Sequence, residues 1–338
     1  MSASVASDLD VPPPRRGGRI EKLALLATKL LVTGACFWYV SRQIDLRQAI
    51  SAVPRLDWRW VAGAVCIALL QIPIVALRWR NILDALPAQH QRLTNGVMTA
   101  ISAIGIFFAQ VLPMAAGEGV RAWLLVRRGC NWRNAVTSVV IDRGVGVALL
   151  MGFALVALLL PSGLTALGGY RRMVLITYGA LLLTGLGGLL LIPRLVPLLH
   201  GWRYSRWIAS LAADVHAVLL GPRSWTILAL GALIHALTIV IVCMVGWAQG
   251  LDLPLADAAV LFTVMIGVVL VPISISGWGL REVAVISILG GYGDGPEQAL
   301  LFSLCFGLVL AVGSLPGALA LLFYSVGPAR SAARPARG

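Results

Sequence analysis

Pro113-Met-Ala-Ala-Gly117-Glu118-Gly119-Val120-Arg121 decides the fold, and the chain says it a second time as Pro272-Ile-Ser-Ile-Ser-Gly277-Trp278-Gly279-Leu280-Arg281-Glu282. Each stretch closes an apolar run with proline, reopens with Gly-x-Gly-aliphatic-Arg, and sets an Arg and a Glu inside apolar sequence. Proline ends or kinks a helix, and glycine permits close backbone approach. The two stretches therefore read as elbows of broken-helix hairpins, with Pro113 and Pro272 at the breaks. Non-helical backbone at membrane depth is tolerated only where protein or a wet cavity covers it.

The surroundings of these elbows are those of a membrane protein. The 338 residues are 59% hydrophobic and 12% charged, with a mean hydropathy of +0.88. A soluble domain carries about 25% charged residues. Several runs approach the roughly 20 residues needed to cross a bilayer, and none alternates as barrel strands do. The expected fold class is an all-α polytopic membrane protein, with inverted repeats and two oppositely oriented re-entrant hairpins.

The net charge of +13 fits Lys and Arg in cytoplasmic loops touching anionic headgroups. Basic stripes interleaved with aromatics are absent, so no nucleic-acid partner is expected. The five cysteines contain no CxxC and the four histidines no HExxH, so no metal is expected either.

In chain order, residues 1–19 read as a disordered cytoplasmic N-terminus and 20–325 as one transmembrane domain. Residues 326–338 read as a cytoplasmic tail. Arg15-Arg16 resembles a twin-arginine signal, but the run that follows is long enough to span and lacks a small-residue cleavage site. Full spans are expected at about 21–41, 58–77, 135–160, 172–192, 225–248 and 298–324. Hairpins are expected at about 97–127 and 258–289. At about 203–220, Trp207, Leu211, Val215 and Leu219 recur every four residues opposite Arg203, Arg206, Ser210 and Asp214, the pattern of an interfacial helix.

With the N-terminus inside and both hairpins returning to their own side, Arg42, Arg47, Arg55, Arg59, Arg171 and Arg172 lie outside. Lys29, Arg121, Arg143 and Arg281 lie in the membrane, and the other 17 of 27 basic residues lie inside. This satisfies the positive-inside rule with both termini cytoplasmic. It also aims the two hairpins at each other from opposite leaflets, which is a transporter architecture.

Arg121 and Arg281 each cost at least about 2.5–3.5 kcal/mol to insert. Two readings account for them. In one, Arg pairs with Glu118 or Glu282 and pins the elbow, although neighbours Arg281 and Glu282 should point apart. In the other, Arg joins free N–H groups at a half-helix N-terminus to cradle an anion, with Gly117, Gly119, Gly277 and Gly279 allowing close approach. Asp142 and Arg143 form a third intramembrane charge cluster, either as an internal ion pair or as a headgroup contact or alternative partner for Glu118. Arg78-Trp79-Arg80 reads chiefly as an interfacial anchor, His235 as a packed core histidine, and Gln110 as satisfying backbone freed by Pro113. No catalytic constellation is visible, and neither a cofactor nor an enzymatic activity is expected.

The motifs Phe107-Phe108-Ala-Gln110-Val-Leu-Pro113…Gly117-Glu118-Gly119-Val120-Arg121, Asp142-Arg143-Gly144 and Pro272…Gly277-Trp278-Gly279-Leu280-Arg281-Glu282 resemble the flippase-like family. That family comprises the transmembrane domain of lysylphosphatidylglycerol synthases and stand-alone relatives, some associated with hopanoid biosynthesis and others with archaeal glycosylation. The family's first motif is closer to Pro-Gly-x-x-Gly-Gly-Asp-x-x-Arg and its middle motif is Glu-Arg. Glu118 and Asp142 therefore keep the charge and change the reach. The resemblance implies lipid movement between leaflets of a bacterial inner membrane. Gly117–Arg121, Asp142-Arg143 and Gly277–Glu282 would form the polar site, with membrane lipids as partners and lipid-biosynthesis enzymes as candidate partners. With about a dozen residues after the last span, the chain is expected to lack the aminoacyl-transferring domain of the synthases. The rival expectations are the membrane subunit of a lipid-modifying or glycosyl-transferring enzyme, and a scaffold for lipid biosynthesis.

Overall fold

A computed structural model describes residues 56–87, 93–111, 114–159, 170–195, 205–270, 279–289 and 295–323. The expected first span at 21–41, both termini, Pro113, Pro272 and Gly277 lie outside the described residues. Those described form ten helices and no strand: α1 Trp58–Ala85, α2 Asn95–Val111, α3 Met114–Arg127, α4 Trp132–Leu159, α5 Tyr170–Leu195, α6 Ser205–Leu220, α7 Ser224–Trp247, α8 Leu255–Leu270, α9 Leu280–Leu289 and α10 Gly295–Phe323. Helices α1, α4, α7, α10 and the Arg171–Leu191 part of α5 are long and apolar enough to cross a membrane. The chain is an all-α, multi-pass membrane protein.

The helix ends follow local chemistry. Asp57 caps α1, its Oδ1 accepting from Arg59 N at 3.0 Å. Helix α3 stops at Gly129, whose φ of 88° is open to glycine. Cys130 N then donates back to Leu125 O at 3.1 Å, the closing bond of a Schellman turn. Gly250, with φ 74°, ends α7 in the same way, Leu251 N donating to Gly246 O at 3.0 Å.

Contacts between helix ends order the bundle. At one end Asp57 N donates to Ala248 O at 2.9 Å, joining the start of α1 to the end of α7. Gln298 Nε2 reaches Gln249 O at 3.2 Å, bringing the start of α10 to that end. At the opposite end Asn134 Nδ2 donates to Pro87 O at 2.8 Å, and Arg223 Nη1 to Asp84 O at 3.3 Å. The starts of α4 and α7 thus meet the end of α1, and Arg80 of α1 bonds Asn95 at the start of α2.

Exposed tryptophans band both ends. Trp58, Trp60 and Trp247 lie at the first, where Trp60 and Trp247 stack edge-on at 4.8 Å. Trp123, Trp132 and Trp225 lie at the second. Along α7, Trp225 and Trp247 are separated by about 33 Å at 1.5 Å per residue. That matches a hydrocarbon core of about 30 Å with aromatics at its borders.

Two small-residue seams bring α2 close to its neighbours. A Cβ at Gly117 would lie 2.9 Å from Ala109 Cβ, and one at Gly105 would strike the stem of Arg121. Residue 109 facing 117 and 105 facing 121 is antiparallel pairing, so α2 and α3 form a helical hairpin. On the other side of α2, Gly317 of α10 packs against the Ala103 backbone.

Candidate functional site

Arg78 is the buried end of the charged site, and its position corrects the expectation of an interfacial anchor. Helix α1 runs eight residues past the expected end at 77, because Trp79, Ile82 and Leu83 continue its buried stripe. Arg78 is therefore inside the bundle and 5% exposed. Gly146 of α4 and Gly231 of α7 leave room for its guanidinium, with Nη1 3.4 Å from where a Cβ at Gly231 would lie.

Five charged side chains from α1, α3 and α4 alternate in sign. Arg78 Nε meets Asp142 Oδ1 at 2.9 Å, and Asp142 Oδ2 meets Arg121 Nη1 at 3.1 Å. The same Arg121 nitrogen meets Glu118 Oε2 at 3.0 Å, and Glu118 Oε1 meets Arg143 Nη2 at 2.6 Å. Asp142 is fully buried and Arg121 is 2% exposed. Three arginines against two carboxylates leave one surplus positive charge. Burying any one of these charges alone would be costly, and the alternation offsets most of that cost.

Trp79 completes the floor. Its ring lies 4.0 Å beneath Arg121 Cζ, and its Nε1 donates to Ser138 Oγ at 3.2 Å. Stacking on an indole face steadies a guanidinium without consuming its N–H groups. Arg121 Nε and Nη2 are buried and make no hydrogen bond among the described residues. Above this floor Gly119, Arg143 and Gly144 are exposed, and a Cβ on either glycine would meet nothing within 4 Å. The cluster thus has a buried floor and an open lip.

Gly117 and Gly119 do not act as expected. Helix α3 already begins at Met114, so Gly117, Glu118 and Gly119 sit inside it rather than in a loop of free N–H groups. Gly117 serves the seam with α2, where a Cβ would fall 2.6 Å from Gly105 O. Glu118 is thereby one helical turn from Arg121, the spacing at which the two pair.

The second elbow differs. Arg281 and Glu282 were expected to point apart, yet Arg281 Nη2 meets Glu282 Oε1 at 2.7 Å and Nε meets it at 3.1 Å. The Arg281 side chain folds back along α9, and Gly307 of α10 leaves room for its guanidinium. Ser303 of α10 closes the ring, accepting from Arg281 Nε at 3.1 Å and donating to Glu282 Oε1 at 3.0 Å. Glu282 Oε2 also accepts from Gly279 N at 2.6 Å, so the N-terminus of α9 is capped from within. In this cluster no buried side-chain donor or acceptor among the described residues goes without a partner, whereas the first leaves Arg121 donors over.

The helix expected at the interface, α6, shows a further correction. In α6 the buried face is Ala209, Asp214 and Val218, while Leu211, Val215 and Leu219 are only half-buried. Asp214, expected on the outward polar face, is buried and accepts from Arg133 Nη2 of α4 at 2.9 Å. His235 packs as expected, between Phe153 and Phe262, with Nε2 3.0 Å from Gly146 O.

Sequence reasoning missed Arg78, Trp79 and Ser138. The signal for the first two was available: residues 79, 82 and 83 keep the helical apolar spacing beyond Arg78.

Comparison with known proteins adds two findings. The chain is 28% identical over 152 residues to the glycosyltransferase AglD of Haloferax volcanii, an alignment covering 45% of this chain and 23% of that protein. The chain thus spans under a quarter of that relative's length. Residues 26–317 match the lysylphosphatidylglycerol synthase TM region, from the expected first span through the described helices to α10, and the chain belongs to that family of membrane domains.

Proposed function

We propose that the protein carries a lipid with an anionic or polar headgroup between the leaflets of a bacterial inner membrane. Arg121 carries the reading: a nearly inaccessible guanidinium, stacked on Trp79 and held by two carboxylates, with two N–H groups unspent. A phosphate or other oxyanion accepts such groups in a planar pair. Glu118 and Arg143 form the gate, because Glu118 joins exposed Arg143 to buried Arg121. An anion would be met by Nε and Nη2, the edge of Arg121 that Glu118 and Asp142 do not hold, and the Glu118–Arg143 pair can swing as a unit to admit it without stranding a charge.

The topology that goes with this reading has both hairpins re-entrant and facing each other as inverted repeats within one domain at 20–325. The α2–α3 hairpin begins and ends at the Asp84–Pro87 end of the bundle, where Arg80, Arg127, Arg128, Arg133 and Arg223 gather, and that end is cytoplasmic. The α8–α9 hairpin begins and ends at the Ala248 end, since Leu253, Leu289 and Gly295 border one cavity there. Alternating access would come from rocking one hairpin bundle against the other.

The test is exchange of fluorescent phosphatidylglycerol and phosphatidylcholine between leaflets of proteoliposomes. Arg121→Lys keeps a cation for Glu118 and Asp142 but removes Nε and Nη2. Exchange should fall to the protein-free rate in that variant; exchange at the wild-type rate would remove Arg121 from the site.

The similarity to a protein named a glycosyltransferase favours a second reading, in which the domain presents a lipid headgroup to a transferring enzyme. Lipids incubated with the protein and its membrane extract would then change mass, and transport alone would not change them.

A further inference from the structure

A groove of about 510 Å³ runs between α1, α2 and α10, on the face of the α2–α3 hairpin away from Arg121. Leu69, Ile72 and Pro73 form one wall and Pro316 and Ala320 the other. Its floor is the small-residue edge of α2: Gly96, Thr99, Ala100 and Ala103. The floor follows the helical repeat of three and four, so small side chains keep the groove open along two turns. Prolines inside α1 and α10 border its deep end.

Its position is set by the helix ends. Gly96 lies one residue inside the start of α2, at the basic end of the bundle, and Ala103 lies about 10 Å deeper. Arg80 follows Pro73 by seven residues and Leu69 by eleven, which puts all three on one face of α1. Arg80 therefore stands over the mouth of the groove, where it bonds Asn95 and pairs with Asp84 at 3.6 Å. Arg80 is only half-buried, so it can also reach the headgroup layer.

We propose that this groove seats one acyl chain of a phospholipid from the leaflet on the Arg80 end, with Arg80 holding the lipid phosphate. An apolar crevice at this depth does not hold water, and a bilayer supplies hydrocarbon at its open side. A cation at the mouth above an apolar slot is the charge and polarity order of a phospholipid seen from the headgroup inwards. The seat does not depend on the headgroup site at Arg121, from which it is separated by the thickness of α2.

The experiment uses the full chain in nanodiscs with phosphatidylglycerol carrying a diazirine in its acyl chain, and with the phosphatidylcholine analogue. After irradiation, peptide mass spectrometry should place label on residues 69–73, 96–103 and 316–320. Gly96→Leu, where a Cβ meets nothing within 4 Å, should fold normally and lose that label. Arg80→Ala should weaken labelling by both analogues, since each carries the phosphate that Arg80 holds, and Arg121→Lys should leave the labelling unchanged. Label spread evenly over other outward leucines such as Leu228 and Leu233 and indifferent to Gly96→Leu would overturn the seat. A disulfide-linked dimer of Thr99→Cys would also overturn it, by showing a second copy of the chain there.

Discussion

Arg78 Nε donates to Asp142 Oδ1 at 2.9 Å across 64 residues of sequence, and both side chains are buried. Asp142 is held on its other oxygen by Arg121, so one carboxylate ties α1, α3 and α4 together. Such a carboxylate costs several kcal/mol to desolvate and is retained only where its partners are fixed. The relationship makes α4 the wall against which the first hairpin is set.

Asp142→Asn should therefore be among the most destabilising single changes in the chain. It removes one negative charge and leaves two buried arginines short of a partner, a loss of about 3–5 kcal/mol by analogy with broken buried pairs. Thermal unfolding followed in detergent should show a large drop in midpoint. A midpoint within a degree or two of wild type would mean that the cluster is more hydrated than its burial indicates.

Gly117 and Gly119 separate packing from access. A methyl at Gly117 would strike Gly105 O and Ala109 N, backbone atoms that cannot turn aside, so Gly117→Ala should lose about 1–3 kcal/mol. A methyl at Gly119 meets nothing within 4 Å, so Gly119→Ala should be neutral or gain up to about 1 kcal/mol from helix propensity. Gly119→Leu should keep stability but slow leaflet exchange by covering the lip. Equal stability losses at the two glycines would contradict the hairpin seam.

The second cluster should behave as a staple. Glu282→Gln removes the buried carboxylate that Arg281 meets at 2.7 Å while keeping an oxygen that can cap α9, so stability should fall steeply from the charge loss. Ser303→Ala removes one hydrogen-bonding partner and should cost about 1 kcal/mol. In Ser303→Ala the co-purified lipid should match that of wild type. A changed lipid complement would bring the second elbow back as a ligand site.

The spans were legible from sequence because each is a long apolar run between polar ends, and the runs at 58, 135, 172, 225 and 298 all fall on long helices. The charged residues at Glu118, Arg121, Asp142 and Arg143 were legible because charge in apolar sequence is rare. What was not legible is pairing. Arg78 looked like the end of a span, since an Arg-Trp-Arg triplet usually sits at an interface. Its pairing with Asp142 and the room left by Gly146 and Gly231 are tertiary arrangements, and they show why it is tolerated inside. Arg281 and Glu282 looked divergent, because adjacent helical residues point about 100° apart. A long arginine folding back at a helix start, with Gly307 making room, is a tertiary arrangement. Gly117 and Gly119 were read as loop formers because Gly-x-Gly is common in anion-binding turns; here the helix runs through that pair, whereas Gly279, with φ 86°, stands in a turn just before α9.

The most direct measurement is native mass spectrometry of the gently solubilised protein beside Arg121→Lys, asking which lipid stays bound. The two unspent guanidinium donors predict one more bound lipid on wild type, with an anionic or polar headgroup, than on a variant that unfolds at a similar temperature and keeps the groove lipid. The same bulk lipids on both forms would contradict the account and leave Arg121 as a structural charge.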